Sequence, residues 1–286
     1  MAKGRELKGR IISVENTRKI TRTMEMIATS KMKRAQDRVI AARPYARALT
    51  EVISSLYSSD LADEFPLLRQ PKQVTRAAVL LLTTNRGLAG GFSSNLIKES
   101  RSLISRLEGE GVEVELHVVG RKGIGFFRYA GRAVKGARTD ITDRPTADDA
   151  ASLVETLMAD FASGALDAVY VVCSHYKSAL SSPPASERVL PVTPPEQKGA
   201  KKDYLLFPSA GEILSVLLPA YVRNAVYRAL VETVAAEQAA RRTAMKNATD
   251  NAGEMLNVLR RTYNRARQAN ITQEIAEIVG GAAALE

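Results

Sequence analysis

Sixty consecutive residues, Ala220 to Val279, contain no proline and a single glycine, Gly253. Within them Met245, Ala248, Ala252, Met255, Leu259, Thr262, Ala266 and Ala269 recur in alternating steps of three and four, the spacing of a coiled-coil seam. At ~1.5 Å per residue this stretch makes a helix of roughly 90 Å, whereas helices in globular proteins average about 11–12 residues. An ordinary compact domain has nowhere to bury such a helix, so the chain must supply a second long element to lie against it.

The N-terminus supplies one. From Lys3 to about Ser58 only Pro44 breaks the helical composition, and an apolar stripe runs through Leu7, Ile11, Val14, Thr21, Met24, Ala28, Met32, Ala35, Val39, Ala42, Ala46, Leu49, Ile53 and Leu56. From Ala35 onward its steps again alternate between four and three. Pro44 removes one backbone hydrogen bond and is expected to bend or break this helix. "DEFPLLRQPKQ", residues 63–73, ends it. Ser209 and Glu212 have capping-box spacing at the start of the C-terminal helical stretch, and Pro219 is expected to interrupt it.

Between the two, the period changes. "AAVLLLTT" (77–84), "VEVELHVVG" (112–120) and "DAVYVVCSHYKS" (167–178) are β-branched apolar runs, and "ERVLPV" (187–192) adds another. They alternate with helical patterns over 91–110, 121–131 and 146–164. Strands alternating with helices imply a mostly parallel sheet covered on both faces. The fold expected is therefore α/β plus a long antiparallel coiled coil. Residues 1–60 and 209–286 form the paired helices, and 72–195 form a Rossmann-like central domain, followed by a Pro- and Lys-rich loop at 191–203.

Two features of the coil point outward. Thr17, Arg18, Gln238 and Arg241 fall on its seam, and polar seam residues weaken a coiled coil. In "KITRTMEMIATSKMKRAQ" (19–36), Ile20, Met26 and Ile27 lie off the stripe among Lys and Arg, where a two-helix coil offers them no partner. Charge is skewed the same way: residues 1–50 carry thirteen Lys and Arg against four Asp and Glu, and residues 241–270 carry seven against two. Basic ends call for acidic partners, whether nucleic acid, anionic lipid or acidic protein surfaces.

Catalytic signals are absent. "TTNRGLAGGFSSN" (83–95) follows a strand and leads into a helix, the place where α/β proteins cradle phosphate. It lacks the GK[ST] of a P-loop and the spacing of a dinucleotide fingerprint, so a tight turn is the reading taken and a phosphate cradle the alternative. "GRKGIGFF" (120–127) fails the same spacing. His117, His175 and the single cysteine, Cys173, show no paired metal-ligand spacing and read as packed sheet residues. Asp148 and Asp149 sit at a helix start, where carboxylates favour the positive end of the dipole. One cysteine permits no internal disulfide, and no apolar run approaches the ~20 residues of a membrane span. "MAKGRELKGR" has no apolar region of the kind a secretory signal needs. Two alternatives stay open on pattern alone: a basic coiled-coil nucleic-acid binder, and a small-molecule enzyme built on the α/β unit.

"LKGRIISVENTRKITRTMEMIATSKMKRAQ" (7–36) and "MKNATDNAGEMLNVLRRTYNRARQANITQEIAEIVGGAAAL" (245–285) resemble the terminal helices of the gamma subunit of the F-type ATP synthase, bacterial type. "RGLAGG" is similar to the family's central turn and "ITQEIAEIVGGA" to its signature, so the resemblance extends over essentially the whole chain. It implies a non-catalytic central-stalk rotor subunit, peripheral on the cytoplasmic face of the bacterial inner membrane. The implied partners are the alpha and beta subunits, the epsilon subunit and the membrane c-ring, with no cofactor of its own because nucleotide and Mg bind to alpha and beta. By motif, Lys19, Arg22, Met24 and Arg241 are implied to meet an acidic loop of the beta subunit. Gln268 and Thr272 would meet the head above, with "IVGGAAAL" in an apolar bearing. Lys31, Lys33, Tyr204 and Leu206 are implied to meet the membrane ring. Asn85 stands where relatives often carry a carboxylate, and Phe207 where some carry a carboxylate before proline. With Cys173 alone, thiol regulation of the chloroplast type is not expected.

Overall fold

A computed structural model describes residues 2–56, 64–193 and 209–283. Helix α1 runs over Ala2–Leu56 and the last helix, α5, over Ala210–Ala283, 55 and 74 residues long. The chain divides into two compact units: Thr29–Ala240, and Met1–Ala28 with Arg241–Glu286.

The first unit is built on a five-stranded sheet of β1 (Arg76–Leu82), β2 (Glu113–Val119), β3 (Gly136–Arg138), β4 (Ala168–Ser174) and β5 (Pro184–Leu190), in the order β3-β2-β1-β4-β5. The first four strands are parallel, and β5 pairs antiparallel with β4. The crossovers carry α2 (Phe92–Gly109), α3 (Arg121–Tyr129) and α4 (Ala147–Ala162).

The unbroken apolar run of β1 follows from burial on both sides. Ala78, Leu80 and Leu82 face a core completed by Val154, Leu157 and Phe161 of α4, Leu49, Ile53 and Leu56 of α1, and Leu214, Leu218 and Val222 of α5. Ala77, Val79 and Leu81 face the opposite core, against Leu96, Leu103 and Leu107 of α2 and Ile124 and Phe127 of α3. Parts of both long helices therefore belong to the sheet's own core, and Ala35 and Val39 pack on Val231, Val234 and Ala235 where α1 and α5 meet.

This packing corrects two expectations. Pro44 lies inside α1 and Pro219 inside α5, and neither ends its helix. Each removes one hydrogen bond, but the turns on either side are anchored, by Val39 and Leu49 around Pro44 and by Leu218 and Val222 around Pro219. The short β3 was not foreseen; its three residues, Gly-Ala-Arg, carry no strand pattern. It abuts β2 because Gly136 leaves room for His117: a Cβ there would lie 2.4 Å from the imidazole Nδ1. Gly120, just after β2, has φ +98, and a Cβ on it would lie 2.4 Å from the Thr83 carbonyl oxygen.

In the second unit, α1 and α5 run antiparallel. Thr21 faces Thr249 and Glu15 faces Arg260, so the chain positions rise on one helix as they fall on the other. The seam differs in detail from the spacing read in the sequence. Leu256 is 1 % exposed while Met255 is 54 % exposed, and Tyr263 rather than Thr262 is half-buried. The observed seam thus steps through Met245, Thr249, Ala252, Leu256, Leu259 and Tyr263.

Candidate functional site

The helical unit presents apolar side chains that none of the described residues covers. On α1, Ile12, Ile20, Met26 and Ile27 are each more than half exposed, and on α5 so are Met255, Val258, Ile275, Ile278 and Val279. Residues 271–280 are exposed without exception. Exposed Arg and Lys, including Arg5, Lys8, Arg18, Lys19, Arg22, Arg261, Arg265 and Arg267, are interspersed among them. A surface of this kind is built to be covered by other chains.

The residues singled out in the sequence fall into separate places. Lys19 and Arg22 are exposed and Met24 is half-buried, all within two turns of α1. Arg241 is only 9 % exposed, so the chain itself covers most of it. Gln268 and Thr272 lie on one face, the Thr272 hydroxyl donating to the Gln268 carbonyl at 3.0 Å. With Glu15 opposite Arg260, these two are level with the first turns of α1, roughly 20 Å along the helix from Lys19.

Of the residues implied to meet the membrane ring, Lys31 is engaged with Asp143 at 2.5 Å and Lys33 with Asp37 at 3.1 Å. The first ion pair holds the Asp143 carboxyl below its ordinary range. Tyr204 and Leu206, with Phe207, lie outside the described residues. Lys31 shares a cavity with Gln238, which the helix rise places roughly 40 Å along α5 from Ser209.

The central turn is held by its own side chains. The Thr84 hydroxyl donates to the Arg86 carbonyl at 2.7 Å and meets the Ser93 hydroxyl at 2.9 Å. The Asn85 amide donates to the carbonyls of Thr139 and Ile141, both at 3.0 Å, and accepts from the Arg121 amide at 3.1 Å. Leu88 and Gly90 take positive φ, 64 and 57. The site is a tight turn in which the Thr84 hydroxyl and the Asn85 side-chain amide are already engaged. At the start of α4, Thr146 and Asp149 form a reciprocal capping box, and Asp148 lies in the same first turn. The Ser209 hydroxyl accepts from the Glu212 amide at 3.2 Å.

His175 does not sit within a strand as read from the sequence; it follows β4. Its Nε2 lies 2.8 Å from Glu187 and its Nδ1 3.1 Å from Glu232 of α5. The Tyr176 amide donates to the same Glu232 carboxylate, the Ser174 amide to the Thr233 hydroxyl, and the Gln36 amide of α1 to the Tyr176 hydroxyl. The end of β4 is thereby tied to both long helices. No local pattern in the sequence signals this knot, since its members are separated by tens of residues. Cys173 is buried beside it, and burial, then the Glu187 and Glu232 charges, push its thiol up to about 12, so it is no thiolate nucleophile at neutral pH. Among the described residues there is no cluster of three or more His, Cys, Asp and Glu able to hold a metal, and no helix long and apolar enough to cross a membrane.

The family model described as ATP synthase matches residues 3–285. Among curated relatives, the chain is 67% identical to the ATP synthase gamma chain of Gemmatimonas aurantiaca over the whole of both chains. It is 46% identical to that of Frankia casuarinae, over 98% of this chain and 97% of the relative. Among solved structures it resembles a chain of the central stalk and c-ring of Tetrahymena thermophila mitochondrial ATP synthase, with TM-score 0.62 at 24% identity over 80% of this chain and 99% of that one. It also resembles a chain of the Euglena gracilis mitochondrial ATP synthase rotor, with TM-score 0.65 at 18% identity over 94% and 99%. These two likenesses bear on the fold.

Proposed function

The chain belongs to the family of ATP synthase gamma chains, and from that premise we propose that it is the non-catalytic shaft of the enzyme's central stalk. It would turn inside a head of alpha and beta subunits and carry rotation between that head and the membrane c-ring, with epsilon bound lower down. In this reading it lies on the cytoplasmic face of the bacterial inner membrane as a peripheral subunit, and nucleotide and Mg are handled by alpha and beta. Lys19, Arg22, Met24, Gln268 and Thr272 would meet the head. Tyr204 and Leu206 would meet the ring together with Lys33, and Lys31 would do so only from within its ion pair with Asp143.

The supporting observation is the uncovered apolar surface of the helical unit, from Ile20 and Ile27 on one helix to Met255 and Ile278 on the other. A shaft inside a sleeve meets protein at every angle. It therefore needs greasy contacts around its circumference with no single deep pocket. Scattered exposed cations suit this, because each exposed ion pair is worth only ~0–1 kcal/mol and none locks the shaft at one angle. Binding to a phosphate backbone would use the basic residues and leave the isoleucines and methionines around the circumference uncovered.

Co-expression with alpha and beta chains of a close bacterial relative tests the reading. The expected result is a complex that hydrolyses ATP and loses assembly or coupled activity when this chain is omitted. Failure to co-assemble, together with tight and sequence-selective DNA binding by the chain alone, would overturn it in favour of the nucleic-acid reading.

A further inference from the structure

A cavity of about 220 Å³ lies between α1, α5 and the loop that follows β3, wholly within the sheet-containing unit. Lys31, Arg34 and Arg38 enter it from α1, Asp143 and Arg144 from the loop, and Gln238 from α5. Its volume corresponds to about seven water molecules, enough for a tetrahedral anion with part of its hydration.

The charges inside are unbalanced. Asp143 is matched by Lys31 at 2.5 Å. That leaves Arg34, Arg38 and Arg144, none of which is paired with a carboxylate among the described residues. Arg34 rests on Ser30 of its own helix, at 3.5 Å from the carbonyl and 3.3 Å from the hydroxyl. Among the described residues, the Arg38 guanidinium donates only to the Asp143 carbonyl oxygen, at 3.4 Å. These are long contacts that leave most of each guanidinium's donors unused.

Gln238 adds an independent indication. It is 3 % exposed and lines the cavity, yet its side-chain amide makes no hydrogen bond to another described residue. That amide stands where α5 forms one wall of a basic cavity, within reach of a group that enters it.

We propose that this cavity is a binding site for a phosphate-type oxyanion, held by Arg34, Arg38 and Arg144 with Gln238 donating from the wall. The donor number selects phosphate over a carboxylate. Three guanidiniums and an amide converge from two helices and a loop, and four tetrahedral oxygens can accept from those separate directions, whereas a carboxylate offers two oxygens in one plane. Charge agrees, because a surplus of three cations is neutralised better by a dianion. The ligand is either free phosphate or the terminal phosphate of a larger molecule whose remainder stays outside. The site is distinct from the central turn, where the Thr84 and Asn85 side chains are engaged with the turn's own backbone and with the loop after β3.

Calorimetric titration of the full chain with inorganic phosphate, pyrophosphate and ADP, at constant ionic strength and against chloride as the blank, tests this. One saturable site is expected, weakened about tenfold or more in Arg144→Gln and in Arg34→Gln. Both side chains are exposed, so these variants keep the fold. Lys33→Gln, which removes an equal charge outside the cavity, is expected to bind as the parent does. Saturation by phosphate alone identifies the free ion as ligand, and saturation only by ADP identifies a nucleotide's terminal phosphate. No saturable binding of any of the three, or equal weakening in Lys33→Gln, overturns the proposal and leaves a carboxylate from a neighbouring chain as the group the cavity awaits.

Discussion

The hydroxyls of Thr21 and Thr249 face each other at 2.8 Å across the seam between α1 and α5. Each also has a backbone acceptor on its own helix, the Arg18 carbonyl for Thr21 and the Met245 carbonyl for Thr249. The helical unit thus places a polar pair where a strong coiled coil places leucine. Replacing both by valine removes two hydroxyls together at nearly constant volume and makes the seam apolar. The double variant is expected to be neutral or more stable by up to about 1 kcal/mol in urea unfolding. Amide exchange along residues 241–270 should slow. A loss of stability as large as that of a cavity mutant would contradict this account of the seam.

The exposed apolar residues separate folding from assembly. Met26 and Ile27 are 58 % and 51 % exposed. Met26→Ser with Ile27→Ser is expected to shift the unfolding free energy of the isolated chain by no more than about 0.5 kcal/mol per site. The same variant should weaken co-assembly with alpha and beta chains measurably in size-exclusion chromatography. A large drop in stability with assembly intact would place these side chains in a core instead.

Asn85 should not tolerate a carboxylate in this chain. Its amide donates to two carbonyl oxygens, of Thr139 and Ile141. Asn85→Asp puts negative oxygen against both. The expected cost to the sheet-containing unit is about 2–3 kcal/mol, read from denaturant midpoints, with Asn85→Ala less damaging than Asp. An Asp variant as stable as the parent would show that the loop after β3 can rearrange.

Acid sensitivity centres on Asp167. Burial alone would raise its carboxyl, but the Thr75 hydroxyl at 2.6 Å and the amides of Thr75 and Arg76 at 2.9 and 3.0 Å hold it below its ordinary value of 3.8. A folded value that is depressed contributes stability above the unfolded value, and that contribution disappears as pH falls through the folded one. The unit is therefore expected to weaken as pH drops below about 4. Asp167→Asn should lose about 1–2 kcal/mol at neutral pH and show a flatter acid limb. Asp140, lowered to about 2 by its hydrogen bond to Arg138, titrates in the same window. Its side chain is 58% exposed, so its share is small.

How much was legible follows the range of the interaction. The long helices, the alternation of strand and helix and the exposure of Ile20, Met26 and Ile27 are matters of period and composition over neighbouring residues, and the sequence displayed them. The clasp of His175 between Glu187 and Glu232 was not visible, because it joins β4, β5 and α5. Neither was the cavity of Arg38, Arg144 and Gln238, whose members lie on three elements far apart in the chain.

The sequence by itself determined that the two ends of this chain are helices too long for a private core, that a parallel sheet lies between them, and to which family the whole belongs. Hydrophobic period and breaker content act locally, so they survive without knowledge of the fold. The tertiary structure alone decided that Leu256 rather than Met255 enters the seam and that Pro44 and Pro219 are carried through without ending a helix. It also decided which cations are neutralised and which remain open. Two stripes that share Met245, Ala252 and Leu259 and differ in taking Met255 or Leu256 between them fit the heptad spacing about equally well. The choice between them is made by where the partner helix lies, with Thr21 opposite Thr249 and Glu15 opposite Arg260.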